Sequence, residues 1–277
     1  MRNRRIWLVL TVVLCLISAG WLGAQTPANQ PSEPALTEEQ MKEFLLHANV
    51  TASRHTSVGI TSPWRLTLSD GKITHDAIFQ SIDERKSSMQ LADGRTELNF
   101  VDSYHYNIAG YELGKLLGLG DVIPVYVGRE WNKQQGALGW WVTVKMDEGT
   151  RLKQKLEPPN PDAWNKQMFN LRVFDQLIYD TDANLTNFLV TADWKLWRVD
   201  FSRAFRLNQD LQSAKDLPMV GRDLLAKLEV LKRDEVLANT KPHLTNSEVA
   251  AVMVRRDKLV AHFKQLVAQQ GESKVLF

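Results

Sequence analysis

Cysteine is almost missing from this chain. Its one example among 277 residues, Cys15, sits in an N-terminal apolar stretch, and nothing downstream carries a thiol. That excludes a disulfide frame, a cysteine metal site and a cysteine nucleophile, so the remainder must hold together through its core alone. Charge of one sign is lacking too: 34 basic and 32 acidic residues give a formal net charge of +2. Arg2, Arg4 and Arg5 more than account for the excess, and no acid precedes Gln25, so the chain without that segment carries −1. A near-neutral protein has no broad field with which to draw in nucleic acid or an anionic membrane surface. The common catalytic signatures are also absent: the sequence has no G-x-S-x-G, H-E-x-x-H, C-x-x-C or G-x-G-x-x-G. His75 and His105 have no partner histidine at metal-ligand spacing, so both read as core or surface residues.

What is present begins with residues 1–24, a basic start, an apolar stretch and small residues near Ala24. That is the form of a secretory signal peptide. The stretch is almost long enough to span a bilayer, so an N-terminal membrane anchor is the competing reading. Either implies an exported protein, periplasmic or extracellular. Residues 25–36 are Pro-rich and polar and read as a linker.

Thr37 followed by Gln40 is a capping-box pattern that opens a helix. Residues 63–83 alternate as two strands around Asp70-Gly71, a hairpin signal. Apolar residues at 108, 109, 113, 116 and 117 predict an amphipathic helix within 102–121, ended by glycines. Strands are expected at 122–128 and 136–146, a helix at 164–179, and two short strands near 187–191 and 196–200. The remainder reads as helical, with Thr245 capping the last long helix. A sheet-rich half followed by a helix-rich half predicts an α+β fold in two lobes: a β-rich N-lobe over 37–147 and a helical C-lobe over 148–277. The charged, Pro-rich stretch 147–164 is the expected boundary.

Asp182, Asn187 and Asp200 lie around two short apolar runs, "FLV" and "LWRV". Asp and Asn are common turn and strand-end residues, and that is one reading. The other is chemical. Phoshoryl transfer needs a carboxylate to position the acceptor hydroxyl, and an amide plus a second carboxylate to hold Mg²⁺ against nucleotide phosphates. "DANLTN" puts the first carboxylate and the amide five residues apart, and "LWRVDFS" delivers the second carboxylate at a strand end.

These segments resemble the catalytic core of the phosphoinositide-kinase-like branch of the protein-kinase fold, which includes lipid kinases, HipA-type toxin kinases and secretory-pathway kinases. That branch has a D-x-x-x-x-N loop, a short hairpin and an apolar-D-F-G motif, matched here by "DANLTN" and "VDFS" eighteen residues apart from first acid to last. "YNIAGYELGKLLGLGDVIPVYV" looks like the helix and following strand of the same branch, and the likeness spans about residues 60–206. The "DWKLW…RAFR" ending also resembles an uncharacterised exported bacterial family.

The resemblance implies a kinase-like two-lobe fold, Asp182 as catalytic acid/base, and Asn187 and Asp200 as ligands for Mg²⁺ or Mn²⁺ with ATP. It implies a hydroxyl-bearing acceptor on a protein, lipid or glycan, and no nucleic acid. Gln80 stands where such kinases carry a phosphate-binding lysine, and Asn107 where its glutamate partner sits. These two amides are the expected nucleotide-binding pair, with Lys72, Lys86 and Lys145 as candidate replacements for the lost cation. The same departures suit a pseudokinase that binds a ligand or partner without turnover. Arg203 and Arg206 are expected to pair with nearby acids, or with a phosphate on the substrate. A third reading is a carbohydrate-binding envelope protein using Trp140, Trp141, Trp194 and Trp197, although aromatics inside strands are more often core.

Overall fold

The computed structural model describes residues 36–56, 63–90, 94 and 96–277; the expected signal peptide or anchor and nearly all of the expected linker therefore lie outside the described residues. Residues 36–277 form one compact unit.

Helix α1 (Glu38–His47) opens as its sequence predicts: Thr37 Oγ1 accepts from the Gln40 N–H at 3.2 Å, and Gln40 Oε1 accepts from the Thr37 N–H at 2.8 Å. β1 (Asn49–His55), β2 (Trp64–Ser69) and β3 (Thr74–Gln80) follow in an antiparallel meander. Asp70 closes the β2–β3 turn by accepting the N–H groups of Lys72 and Ile73, each at 2.8 Å. Leu66, Leu68, Ala77 and Phe79 alternate into the core, so the register of Gln80 at the end of β3 is fixed by the apolar face behind it.

Next comes a feature with no counterpart in the sequence-based expectations. β4 (Asp83–Gln90) and β5 (Thr96–Ser103) make a separate two-stranded hairpin. Its charged and polar residues carry no apolar stripe, which is why periodicity does not reveal it. The stem is anchored where the Tyr104 N–H donates to the Ile82 carbonyl at 2.7 Å. α2 (His105–Leu116) then runs through the interior, burying Tyr106 to Tyr111 without a break.

β6 (Tyr126–Trp131) and β7 (Gln134–Trp140) pair tightly and complete a five-stranded antiparallel sheet in the order β1-β2-β3-β7-β6. They are displaced from the expected 122–128 and 136–146. Asn132 and Lys133 both take positive φ, 51° and 63°, making a two-residue turn that recentres the hairpin on them. Gly136 is required in β7, because a Cβ there would stand 2.5 Å from the Gln80 carbonyl oxygen.

The stretch 147–164 is more than a connection. β8 (Met146–Asp147) leads into α3 (Glu148–Lys153), capped by Asp147. Arg151 forks onto Glu148 at 2.6 and 2.9 Å in a buried pair. α4 (Pro161–Ile178) starts three residues before the expected 164, because Asn160 caps it and Pro161 takes the first turn, where its missing N–H costs nothing. β9 (Phe188–Val190) and β10 (Leu196–Arg198) join β8 in a three-stranded sheet. Phe188, Val190 and Leu196 pack on Trp164, Met168 and Leu171 in a second, smaller core, which seats this sheet on α4. α5 (Arg222–Val230), α6 (Arg233–Thr240), α7 (Asn246–Gln270) and α8 (Glu272–Val275) complete the helical part, with Thr245 and Glu248 forming the capping box of α7. The fold is α+β, a sheet-rich portion followed by a helical one. Among the described residues no helix is long and apolar enough to cross a membrane.

Candidate functional site

The loop after α4 is shaped by its own polar side chains. Asn184 caps a short 3-10 turn over Leu185–Asn187 by accepting from the Thr186 N–H at 3.0 Å. The turn brings the Asn187 side chain back so that Nδ2 donates to the Asp182 carbonyl at 3.1 Å. That bond leaves Asn187 Oδ1 unused. The Val199 N–H donates to the Asn187 carbonyl at 3.0 Å, tying the end of β10 to the same loop. Asp182, Asn187 and the strand leading to Asp200 are thereby linked in one local network.

Asp200 adopts a left-handed backbone, φ 61°, which for a residue with a side chain costs on the order of 1–3 kcal/mol. Surrounding contacts hold it there. Arg198 Nη1 donates to the carbonyls of Val199 and, at 3.3 Å, of Asp200. Burial and then the Asp200 carboxylate push the nearby Tyr126 phenol up. The chain beyond turns back: the Ser103 N–H donates to the Ser202 carbonyl at 2.9 Å, and the Phe205 N–H to the Ile178 carbonyl at 2.6 Å.

Beneath these residues lies a charged triad the sequence reading overlooked. Arg198 is fully buried, with Nε donating to Asp175 Oδ1 at 2.9 Å and Nη2 to Asp180 Oδ2. Asp180 Oδ1 in turn accepts the Asp182 N–H at 2.8 Å. One guanidinium thus reaches the backbone of Asp200 directly and that of Asp182 through Asp180. Burial pushes both Asp175 and Asp180 up, with Arg198 opposing the rise. An arginine inside an otherwise apolar strand, "LWRV", is the signal that could have found it.

Asp102, at the end of β5, was also missed. Its Oδ1 is buried without a hydrogen-bond partner. Burial pushes its carboxyl up, a bond from the Ser202 side chain opposes this, and the carboxylates of Asp200 and Asp182 add to the rise. An orphaned carboxylate oxygen within electrostatic reach of two further carboxylates has the chemistry of a cation ligand, and carboxylate and amide oxygens are the donors that Mg²⁺ and Mn²⁺ take. Among the described residues no three His, Cys, Asp or Glu side chains are gathered closely enough to make a metal cage alone.

Gln80 and Asn107 meet as expected of a partnered pair. Asn107 Nδ2 donates to Gln80 Oε1 at 2.7 Å, and Asn107 Oδ1 accepts the Phe201 N–H at 2.7 Å. Phe201, next to Asp200, packs so closely on α2 that a Cβ at Gly110 would be 2.6 Å from its ring. Of the candidate replacement lysines, Lys86 pairs with Glu84 at 2.8 Å, Lys145 lies 4.8 Å from the Trp194 ring centre, and Lys72 sits in the exposed β2–β3 turn.

Arg203 and Arg206 both pair with Glu97, the acid pairing expected of them. His105 does have a histidine neighbour, contrary to the spacing argument. Its Nδ1 lies 2.9 Å from Nδ1 of His243, 138 residues away, a contact only the tertiary fold creates. His75 bonds the Trp141 carbonyl at 3.0 Å and stacks on Trp140. Of the four tryptophans Trp140 ends β7 and Trp197 lies in β10, while Trp141 and Trp194 lie just outside strands; Trp140 is edge-on to Phe44 and Trp194 edge-on to Trp164.

Solved structures similar in fold to this chain include a Fam20 protein and two kinases. A structure of hydra Fam20 with sugar superposes with a TM-score of 0.63 at 13% identity, over 86% of this chain and 91% of that one. The fold is kinase-like. The Golgi casein kinase matches with a TM-score of 0.61 at 13% identity, over 86% and 77% of the two chains, and a structure of it with Mn/ADP bound matches at 0.60. A Helicobacter pylori proinflammatory kinase, CtkA, matches at 0.50 and 11% identity, over 82% of this chain and 98% of that one. No protein-family model matches the sequence, and neither does any curated protein.

Proposed function

We propose that this protein is an exported atypical kinase that moves a phosphoryl group from a nucleotide to a hydroxyl acceptor. The observation that carries the reading is the network joining Asp182, Asn187 and Asp200, with the orphaned Asp102 oxygen beside it. Asn187 Oδ1 and the Asp200 carboxylate would hold Mg²⁺ or Mn²⁺ with ATP, the cation offsetting charge on the phosphates. Asp182 would accept the hydroxyl proton as the acceptor is aligned, its backbone held by the Asp180 carboxylate. Arg198 keeps both acids aimed while itself excluded from water. Residues 37–147 would form the N-lobe and 148–277 the C-lobe, following a signal peptide or membrane anchor. The Mn/ADP complex of the Golgi casein kinase lends support to a divalent cation with a nucleotide.

The Gln80–Asn107 pair favours a second reading, a pseudokinase. Asn107 is committed to both Gln80 and Phe201, and neither amide brings positive charge to a phosphate. The test is the melting temperature with Mn²⁺, with and without ATP, for the wild type and Asp200→Ala. A ligand at about 100 times its Kd adds roughly 2.7 kcal/mol. For a chain of this size that is a rise of about 5–10 °C. A metal-dependent rise lost in Asp200→Ala supports a nucleotide site, and release of phosphate from ATP then separates kinase from pseudokinase. No rise with any nucleotide refutes the kinase reading and leaves a kinase-shaped scaffold with some other ligand.

A further inference from the structure

Arg203 and Arg206 converge on a single carboxylate, that of Glu97 in β5. The three side chains are 15%, 7% and 16% exposed, so two guanidinium groups share one paired carboxylate largely out of water, with the unbonded Asp102 oxygen's carboxylate within electrostatic reach of Arg203. Three guanidinium nitrogens, Nε of Arg203 and Nε and Nη1 of Arg206, are buried and have no hydrogen-bond partner. Glu97 Oε1 lies 2.7 Å from Arg206 Nη2 yet is not aligned for a hydrogen bond. Buried N–H groups of a charged side chain are costly to leave unpaired, so one carboxylate is a poor match for two guanidinium forks.

We propose that Arg203 and Arg206 form a binding site for a phosphate-class oxyanion, with Glu97 as the resident surrogate that the anion displaces. A phosphate dianion balances both guanidinium charges and offers acceptor oxygens to the nitrogens Glu97 leaves unused. Planar, bidentate donors of this kind suit phosphate better than an ammonium would. Burial pushes the Arg206 guanidinium down and Glu97 only partly offsets it, so a second negative charge is favoured there. Release of Glu97 is cheap in packing terms: its neighbours in β5, Thr96, Leu98 and Asn99, are exposed, and β5 is buried only farther along, at Phe100 and Ser103. The site also has a hydroxyl on its edge, Thr181 Oγ1, 3.3 Å from Arg206 Nη2 and donating to the Arg203 carbonyl at 3.0 Å. The anion is either a free ion or a phosphate ester on a larger molecule brought next to Asp182. The inference does not rest on phosphoryl transfer.

The test is calorimetric titration of the full chain with inorganic phosphate at low ionic strength, in EDTA and without nucleotide, so that a metal–nucleotide site contributes nothing. Saturable binding is expected in the wild type, at least tenfold tighter in Glu97→Gln, where the competing charge is gone, and at least tenfold weaker in Arg206→Met. Circular dichroism checks that each variant is folded, and the Glu97→Gln arm stands even if Arg206→Met is not. Equal affinity in wild type and Glu97→Gln, or no saturable binding in either, overturns the proposal. Phosphoserine titrated in parallel identifies the source: binding like that of phosphate indicates an ester, exclusion indicates a free ion, and both uphold the site.

Discussion

Arg198→Met would test the foundation of the site. The side chain is fully buried, bonds two carboxylates and caps the carbonyls of Val199 and Asp200. Methionine fills much of the volume but leaves Asp175 and Asp180 without a counter-charge. Breaking a buried pair from one side costs about 3–5 kcal/mol, chiefly because the remaining charge stays buried. At about 2–4 °C per kcal/mol for a chain of this size, the melting temperature falls by roughly 6–20 °C. The pH dependence has a definite sign. Burial already raises both carboxyls in the wild type, and without the guanidinium they rise further. Groups whose folded pKa exceeds the unfolded one bind more protons in the native state, so stability falls as pH rises through the folded pKa. The deficit of Arg198→Met is therefore larger at pH 7 than at pH 5, where the carboxyls are closer to neutral. Adding Asp175→Asn and Asp180→Asn should recover most of the loss, since neutral amides need no counter-ion. Urea unfolding at the two pH values measures all of this. A loss under about 1 kcal/mol, or a deficit identical at both pH values, refutes the account of the triad.

Gly110→Ala should destabilise by about 1–3 kcal/mol through overpacking against Phe201, although Gly to Ala in a helix ordinarily gains about 1 kcal/mol; a stabilised variant in thermal melts would contradict the packing argument. Asn107→Ala leaves the buried Phe201 N–H unpaired and should cost about 1–3 kcal/mol in urea titration, with Asn107→Asp milder because its oxygen still accepts. Burial, then the charge of His105, pushes the His243 imidazole down to about 4. The unfolded chain then binds more protons between about pH 6.5 and 4, so stability declines as pH falls through that window, and His243→Gln should flatten the decline in melts recorded across it. Restoring charge with Gln80→Lys and Asn107→Glu together should tighten nucleotide binding at least tenfold in the presence of Mn²⁺, whereas Gln80→Lys alone, without a carboxylate beside it, should destabilise the chain.

Much of this was legible in the sequence where local rules dominate. The capping boxes at Thr37 and Thr245 and the Asp70-Gly71 turn are short-range devices, and each formed where its residues predicted. Asp182, Asn187 and Asp200 could be singled out because their spacing is local, and Gln80 and Asn107 because they replace a familiar pair. The β4–β5 hairpin was not legible, since β4 is exposed but for a half-buried Met89 and β5 buries only Phe100 and Ser103, which leaves no alternation to read. Its absence from the expectation hid Glu97, and with it the arginine pair's partner. The Arg198 triad and the His105–His243 contact join residues from separate elements, and nothing in local patterning encodes such meetings.

The link from Gln80 through Asn107 to Phe201 is made entirely of amides and one backbone N–H. A lysine–glutamate pair in that position would break once acid protonated the carboxylate. Amides do not titrate, so the tie between β3, α2 and the segment bearing Asp200 is the same in acid as at neutral pH. What the pair gives up in reach toward a phosphate it recovers as indifference to acid.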